Sequence, residues 1–297
     1  MSDISGTRMS GNTISSPAPG TAPRGGGLPW GQWWRQTLAI MRLDLRKGFR
    51  RSYGLLLLAL APVFILFLRM VIPEAIQDSG DIPGATNFFA VIFQTFIVRI
   101  VIFLACVSIF GNLIRRELLD RSLHYYFLSP VRREVLVVAK FLTGLLVAFV
   151  LFGLTTVVSF ILTYVPLEST AVQGFLFQGP GLAHLGAYLL VTFLGCVGYG
   201  AVFLALGFFF KSPAIPALAV FGWEAILFLL PPLLKKASVF HYLQSLCPIP
   251  ISEGPLAILA DAPSPWVAIP GLLALAVALV ALSAWKIRTM EISYEES

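Results

Sequence analysis

The segment RRELLDRSLHYYFLSPVRREVLVVAK, residues 115–140, decides how this chain is built. It is polar and strongly basic, and long apolar runs, 88–114 and 135–165, lie on either side of it. Such runs can cross the hydrocarbon core of a bilayer, which takes about 20 apolar residues. The segment therefore joins two predicted membrane spans through water, and its basic side chains place it on the cytoplasmic side.

The overall composition excludes an ordinary soluble fold. Of the 297 residues, 57% are hydrophobic and 12% are charged, whereas soluble domains carry about 25% charged residues. The formal net charge of +6 clusters beside the apolar runs. That clustering is typical of the cytoplasmic loops of membrane proteins, so we predict no nucleic-acid partner. Three scattered cysteines, Cys106, Cys196 and Cys247, indicate neither a disulfide framework nor a metal site.

The ends of the chain are polar. Residues 1–29 are rich in Ser, Gly, Pro and Thr and predict a disordered cytoplasmic tail without the apolar core of a signal peptide. In residues 30–51, Trp34, Leu38 and Met41 recur at helical spacing among many arginines. This pattern predicts a basic interfacial helix; the alternative is a solvated tail that only sets orientation. Residues 291–297 predict a cytoplasmic tail.

The hydrophobic runs predict an all-α polytopic membrane protein with six transmembrane helices. The predicted spans are 53–72, 88–114, 135–165, 183–210, 214–234 and 266–285. Basic residues before the first span and after the last place both termini in the cytoplasm. Lys235 and Lys236 would then lie outside, but the larger basic clusters outweigh this pair. Five glycines of the fourth span predict close helix packing; they are Gly186, Gly195, Gly198, Gly200 and Gly207.

Two connections on the predicted outer side differ in character. A polar loop is predicted from 166 to about 181. Residues 235–265 are rich in proline but otherwise apolar, too broken for a straight span and too apolar for an ordinary loop. They predict a re-entrant or interfacial outer segment whose free backbone groups are buried by protein.

Familiar catalytic patterns are missing from the sequence. It contains no GxxxxGK[ST], HExxH or GxSxG pattern, which gives no support for an enzyme or for ATP binding by this chain. His124, His184 and His241 are scattered and are interpreted as ordinary interfacial residues. We therefore expect no cofactor in this chain.

The opening segment has two helical faces. Leu119 and Leu123 fall on one face, Asp120 and His124 fall on another, and Pro130 ends the helix. Such a helix can rest its apolar face on the bilayer and present its polar face to a partner. The alternative is a lipid-facing basic loop without a partner.

The residue pattern of this segment resembles that of a known protein family. The resemblance rests on Glu117, Ser122-Leu123, Ser129-Pro130-Val131, Arg133, Glu134 and Lys140. In this order they resemble the ABC transporter permeases of the type-two exporter class, which have no ATPase domain of their own. The six-span layout and the broken outer segment extend the resemblance over residues 30–290. Arg121 stands where the family often has Gly.

The resemblance implies partners and a mechanism. Two permeases, either two copies or a copy and a paralogue, pair in the lipids of the cell (inner) membrane. Cytosolic ABC ATPase subunits, which bind ATP and Mg²⁺, dock beneath them on a coupling segment, here residues 115–133, and drive cargo outward. The docking surface implied on this chain is Asp120, Arg121, Ser122, His124 and Tyr125. Glu117 is expected to pair with Arg46 or Arg50 of the interfacial helix.

Two ionisable residues lie well inside predicted spans, Arg99 in the second and Glu224 in the fifth. A mid-span Arg costs about 2.5–3.5 kcal/mol on insertion scales and should face protein or water. We predict that the two pair or line a shared cavity for a polar part of the cargo; the alternative is two unrelated groups bonded to backbone or headgroups.

Two other functions are compatible with parts of this pattern. An ion-driven secondary transporter would carry more mid-membrane acids or matched discontinuous helices in two halves. A scaffold that docks a soluble partner would account for the basic segment but not for Arg99 and Glu224.

Overall fold

α-Helices carry the apolar runs of the sequence. A computed structural model describes residues 37–38, 41–42, 53–71, 81–111, 133–210, 212, 214–226, 238–249, 251 and 264–289. No strand occurs in these ranges. The helices are α1 (Tyr53–Val71), α2 (Ile82–Phe110), α3 (Arg133–Tyr164), α4 (Ser169–Gln173), α5 (Gly181–Phe209), α6 (Ala214–Ala225), α7 (Val239–Ser245) and α8 (Pro265–Thr289).

Four of these helices, α2, α3, α5 and α8, are long and apolar enough to cross a membrane. Shorter apolar helices cover Gly54–Phe67, within α1, and Ala214–Ala225, which is α6. The all-helical membrane class predicted from the sequence is thus confirmed, with four helices of spanning length among the described residues.

Several predicted segments lie wholly or largely outside the described residues. They are the tails 1–29 and 291–297, the coupling segment apart from Arg133, and much of the outer segment 235–265. Within the predicted interfacial helix, only Thr37, Leu38, Met41 and Arg42 are described, and all four are helical.

Contacts at the helix ends give the relative direction of the long helices. Phe110, at the end of α2, packs against Phe141 near the start of α3. The end of α5 lies beside the end of α8, where the Lys286 ammonium is 5.7 Å from the centre of the Phe209 ring. At the opposite end, Thr86 of α2 hydrogen-bonds Tyr164 of α3. This arrangement is what the predicted topology requires of these four helices.

α2 begins six residues before the predicted start, at Ile82 and not at residue 88. The side chain of Asp81 caps the helix by accepting a hydrogen bond from the Gly84 N–H at 3.2 Å, so the helix begins before the continuous apolar run. Proline is tolerated in a first turn, where the backbone N–H has no helical partner.

The middle of α2, Phe93–Ile102, is a π-helix. Buried pairs recur every four residues along α2, from Ala85-Thr86 to Ala105-Cys106. In an α-helix each such step drifts by about 40°, so the stripe would leave the core within a few turns. The wider π turns reverse that drift and keep one face of α2 buried along its whole length.

The predicted polar loop 166–181 is instead largely helical. α4 is followed by a short π-helical stretch, Gly174–Gln178. Val172, Phe175 and Leu176 pack against the core, and the Phe175 ring lies 5.4 Å from that of Tyr164. Polar residues and glycines surround these three apolar side chains, which hold the segment against the bundle.

α5 lies at the centre of the bundle and brings α7 into it. A Cβ atom at Gly198 would come within 2.7 Å of Val239 and 2.9 Å of Leu272. At Gly200 it would come within 2.8 Å of Phe110. The glycines of α5 therefore allow close packing, as predicted, and Gly186, which faces open space, is the exception.

Candidate functional site

The carboxylate of Glu224 lies at the centre of a buried polar cluster. Glu224 is near the end of α6 and is only 2% exposed. Its Oε2 accepts a hydrogen bond from the Tyr199 hydroxyl at 2.8 Å. Its Oε1 accepts from the Ser238 hydroxyl at 3.2 Å and from the Phe240 N–H at 3.4 Å. Three donors therefore converge on one carboxylate, which satisfies a charge that would otherwise be costly inside the bundle.

Arg99 reaches the same place from α2. Its guanidinium donates a hydrogen bond to the main-chain carbonyl of Glu224 at 2.9 Å. The same guanidinium lies 5.0 Å from the centre of the Phe240 ring, in cation–π geometry. Arg99 therefore joins α2 to the last described turn of α6.

A second side chain of the same π-helical stretch also donates a hydrogen bond to a main-chain carbonyl. Gln94 is buried, and its Nε2 donates to the carbonyl of Ile249 at 2.7 Å. Ile249 follows α7 in a bent stretch of chain. Two polar side chains of α2 thus bind main-chain carbonyls, one in the last described turn of α6 and one in the bends after α7.

Local sequence explains how the remaining members reach the site. Tyr199 stands between Gly198 and Gly200, which keeps the neighbouring surface of α5 free of side chains. Its ring packs edge-on against Phe103 of α2, with 5.4 Å between ring centres. Ser238 occupies the N-cap position of α7, but its hydroxyl bonds Glu224 and not the helix. α5, α6 and α7 therefore meet at one carboxylate.

A separate aromatic group fills the bundle nearer the start of α2. Rings of Phe89, Phe93, Phe160 and Tyr188 pack at centre-to-centre distances of 4.6–6.4 Å. The Tyr188 hydroxyl is buried and has no hydrogen-bond partner among the described residues. These contacts are ring-on-ring packing, so we interpret this group as core.

Cys247 lies between α7 and Ile249. Burial raises the pKa of its thiol from the usual 9.0 to about 12. The thiol donates a hydrogen bond to the carbonyl of Leu243 at 3.4 Å. Such a group stays protonated and unreactive at neutral pH. Within the described ranges, no group of three or more His, Cys, Asp or Glu side chains could hold a metal ion.

Of the residues selected from the sequence, the structure brings Arg99 and Glu224 together. Whether the pair lines a path for cargo stays a prediction. Asp120, Arg121, Ser122, His124 and Tyr125 lie outside the described residues. Sequence reasoning missed Gln94, Tyr199, Ser238 and Phe240. Two signals were available in the sequence: Gln94 lies on the apolar face of α2, and Tyr199 is flanked by glycines.

Comparison with known families identifies the class of this protein. Residues 46–226 match the model of the family described as ABC-2 family transporter protein. The match covers more than half of the chain and extends from before α1 to the end of α6. The chain belongs to this family: it is a multi-pass membrane permease component of an ABC transporter. Neither the search of curated proteins nor that of solved structures finds a match.

Proposed function

We propose that this chain is the membrane-spanning subunit of an ATP-driven exporter, coupled to separate cytosolic ABC ATPase subunits. The observation that carries the proposal is the family match over residues 46–226. Permeases of this family usually work with a separate ATPase subunit. The sequence has no P-loop pattern, so in this proposal ATP and Mg²⁺ bind to the partner.

The proposal includes six spans with both termini in the cytoplasm. α1 has 19 residues, which at about 1.5 Å per residue nearly matches a hydrocarbon core of about 30 Å. α6 is the described beginning of a fifth span that the sequence extends to residue 234. α7 supports a re-entrant outer segment, because its Val239 contacts Gly198 in the middle of α5.

We place the ATPase contact on residues 115–133, between α2 and α3. These two helices pack together at the end where the segment joins them. A force applied to the segment would therefore act directly on both. The proposed contact residues are those that the resemblance implies, Asp120, Arg121, Ser122, His124 and Tyr125.

For the mid-membrane charges we propose pairing, and not an open cavity, in this conformation. The carboxylate of Glu224 already accepts three hydrogen bonds, and its carbonyl accepts one from Arg99. A cargo group could replace these partners only if α6 moved away from α2, from α5 and from the start of α7. A role of Arg99 and Glu224 in lining the cargo path therefore belongs to another state of the transport cycle.

Affinity purification from the native membrane tests the proposal. The full chain, extracted in mild detergent, should retain a P-loop ATPase, and the complex should hydrolyse ATP. Reversal of charge at the docking surface, Asp120→Arg with Arg121→Glu, should release the ATPase while the permease remains folded. Lys286→Gln, at the end of α8, is the matched control and should retain the ATPase. Recovery of no P-loop ATPase by the unmodified chain would reject the proposed function.

A further inference from the structure

The π-helical stretch of α2 sets the relative direction of Gln94 and Arg99. These residues are five positions apart. In an α-helix five residues turn through about 500°, which leaves two side chains about 140° apart. In a π-helix of about 4.4 residues per turn they turn through about 410° and stand about 50° apart. The π stretch therefore brings both side chains towards one face of α2.

Both side chains use that face to contact the chain around α7, Arg99 together with the last described turn of α6. Arg99 holds the carbonyl of Glu224 and contacts the ring of Phe240, and Gln94 holds the carbonyl of Ile249. We call residues 238–249 the α7 segment. Its start is tied to α6 as well, because Ser238 and Phe240 bind the Glu224 carboxylate. α2 thus contacts the α7 segment near both ends, at Phe240 and at Ile249.

The apolar surroundings make these hydrogen bonds costly to break. An unpaired carbonyl in a membrane interior costs several kcal/mol because no water can replace the lost donor. The carbonyl of Glu224, in the last described turn of α6, and the carbonyl of Ile249, in the bends after α7, each take a donor from α2. When α2 shifts, the α7 segment must follow it or lose these bonds.

We propose that Gln94 and Arg99 are positioning residues that carry movements of α2 to the α7 segment. The inference rests on the proposed function, in which the ATPase acts on the segment that continues α2 into the cytoplasm. A push at the cytoplasmic end of α2 is passed through the π stretch to the α7 segment, which opens or closes the outer end of the cargo path. Each of the two side chains bonds a main-chain carbonyl, which is why we assign them a positioning role.

Hydrogen–deuterium exchange of the full chain in lipid nanodiscs tests this coupling. Without nucleotide, Gln94→Leu should speed exchange in residues 238–249 by at least about tenfold, the effect of losing one buried hydrogen bond. Arg99→Met, which loses the contact with Phe240 and the bond to Glu224, should speed exchange in the same residues. Exchange in α3 should not change. Thr95→Val is the matched control, because Thr95 lies in the same π stretch but is exposed and bonds only the carbonyl of Val91 in its own helix.

The second arm uses the complex with the ATPase that co-purifies. ATP with vanadate should alter exchange both at the cytoplasmic end of α2 and in the α7 segment of the unmodified chain. In Gln94→Leu and Arg99→Met, the change at the end of α2 should persist and the change in the α7 segment should be lost. This separation is a readout that a purely structural role would not produce.

The outcomes distinguish the two proposals. If neither variant alters exchange in residues 238–249 without nucleotide, the claim that Gln94 and Arg99 stabilise the α7 segment is refuted, whatever the ATPase does. If the α7 segment of both variants still responds to ATP with vanadate, the bonds are structural only and the coupling is refuted while the proposed function stands. If no ATPase co-purifies, the proposed function fails, and the coupling inference fails with it.

Discussion

Arg99 binds Glu224 through the main chain: its guanidinium donates to the Glu224 carbonyl at 2.9 Å, while the carboxylate of the same residue accepts from Tyr199 at 2.8 Å. One residue of α6 therefore joins two helices by two different groups. The bond from Arg99 goes to the main chain and does not need a carboxylate at position 224. The bond from Tyr199 goes to the side chain and does need one.

This division predicts that exchange of the two charges fails to restore stability. Arg99→Met should lower the free energy of unfolding by about 1.5–3 kcal/mol, the range for a hydrogen bond to a charged group. In Arg99→Glu with Glu224→Arg, a carboxylate would face a carbonyl and a guanidinium would face three donors. Thermal unfolding of the full chain in detergent should show the double variant to be no more stable than the less stable single variant. Recovery towards the unmodified stability would show that a side-chain ion pair carries the interaction.

The Tyr199 hydroxyl should contribute measurably to stability. Tyr199→Phe leaves the Glu224 carboxylate one donor short in a buried site, at a cost of about 1–3 kcal/mol. Combined with Glu224→Gln, the losses should be less than additive, because both changes remove the same charge-assisted bond. Tyr188→Phe is the control, since that hydroxyl is buried with no hydrogen-bond partner in the described ranges, and it should be neutral or stabilising. Equal losses for the two Tyr→Phe variants would contradict this assignment.

The close approach of α5 to α7 makes Gly198 intolerant of a side chain. An added Cβ would lie 2.7 Å from Val239 and 2.9 Å from Leu272. Gly198→Ala should therefore destabilise the chain by about 1–3 kcal/mol through overpacking. Gly186→Ala meets open space and should be neutral or slightly stabilising, because alanine favours helix by up to about 1 kcal/mol. Unfolding midpoints of the two variants, measured side by side, decide the point.

Cys247 should resist alkylation at moderate pH. With a pKa of about 12, its thiolate fraction at pH 8 is on the order of 10³ times smaller than that of an ordinary thiol. Iodoacetamide labelling, followed by peptide mass spectrometry, should rise about tenfold per pH unit above pH 8 in the native chain. The denatured chain, with an ordinary pKa, should label rapidly. Native labelling as fast as denatured labelling would show an exposed thiolate.

The same pKa shift has a defined sign for stability. The native thiol keeps its proton at pH values where the unfolded thiol loses it. Its contribution to stability is therefore complete below the ordinary thiol pKa and is lost as the pH rises from there towards 12. Replacement of Cys247 by Ala should reduce the loss of stability between pH 8.5 and 10.5.

Much of the fold could be predicted because hydrophobic length and basic flanks are local properties of a sequence. The apolar runs predicted the positions of α1, α3, α5 and α8 to within a few residues. Arg99 and Glu224 could be selected because a charge inside an apolar run is conspicuous. The early start of α2 was missed, since the helix begins before the continuous apolar run, at the cap by Asp81.

The sequence by itself determined that this is an all-helical membrane protein, which runs are apolar enough to form its long helices, and that two charges within such runs must find partners. Only the tertiary structure decided who those partners are. Tyr199, Ser238 and Phe240 look ordinary in the sequence, because what matters is that the glycines of α5 let α7 come close enough to bring them to Glu224. The direction of Gln94 and Arg99 likewise depends on the π turns of α2, and these arise from packing a four-residue repeat against the core.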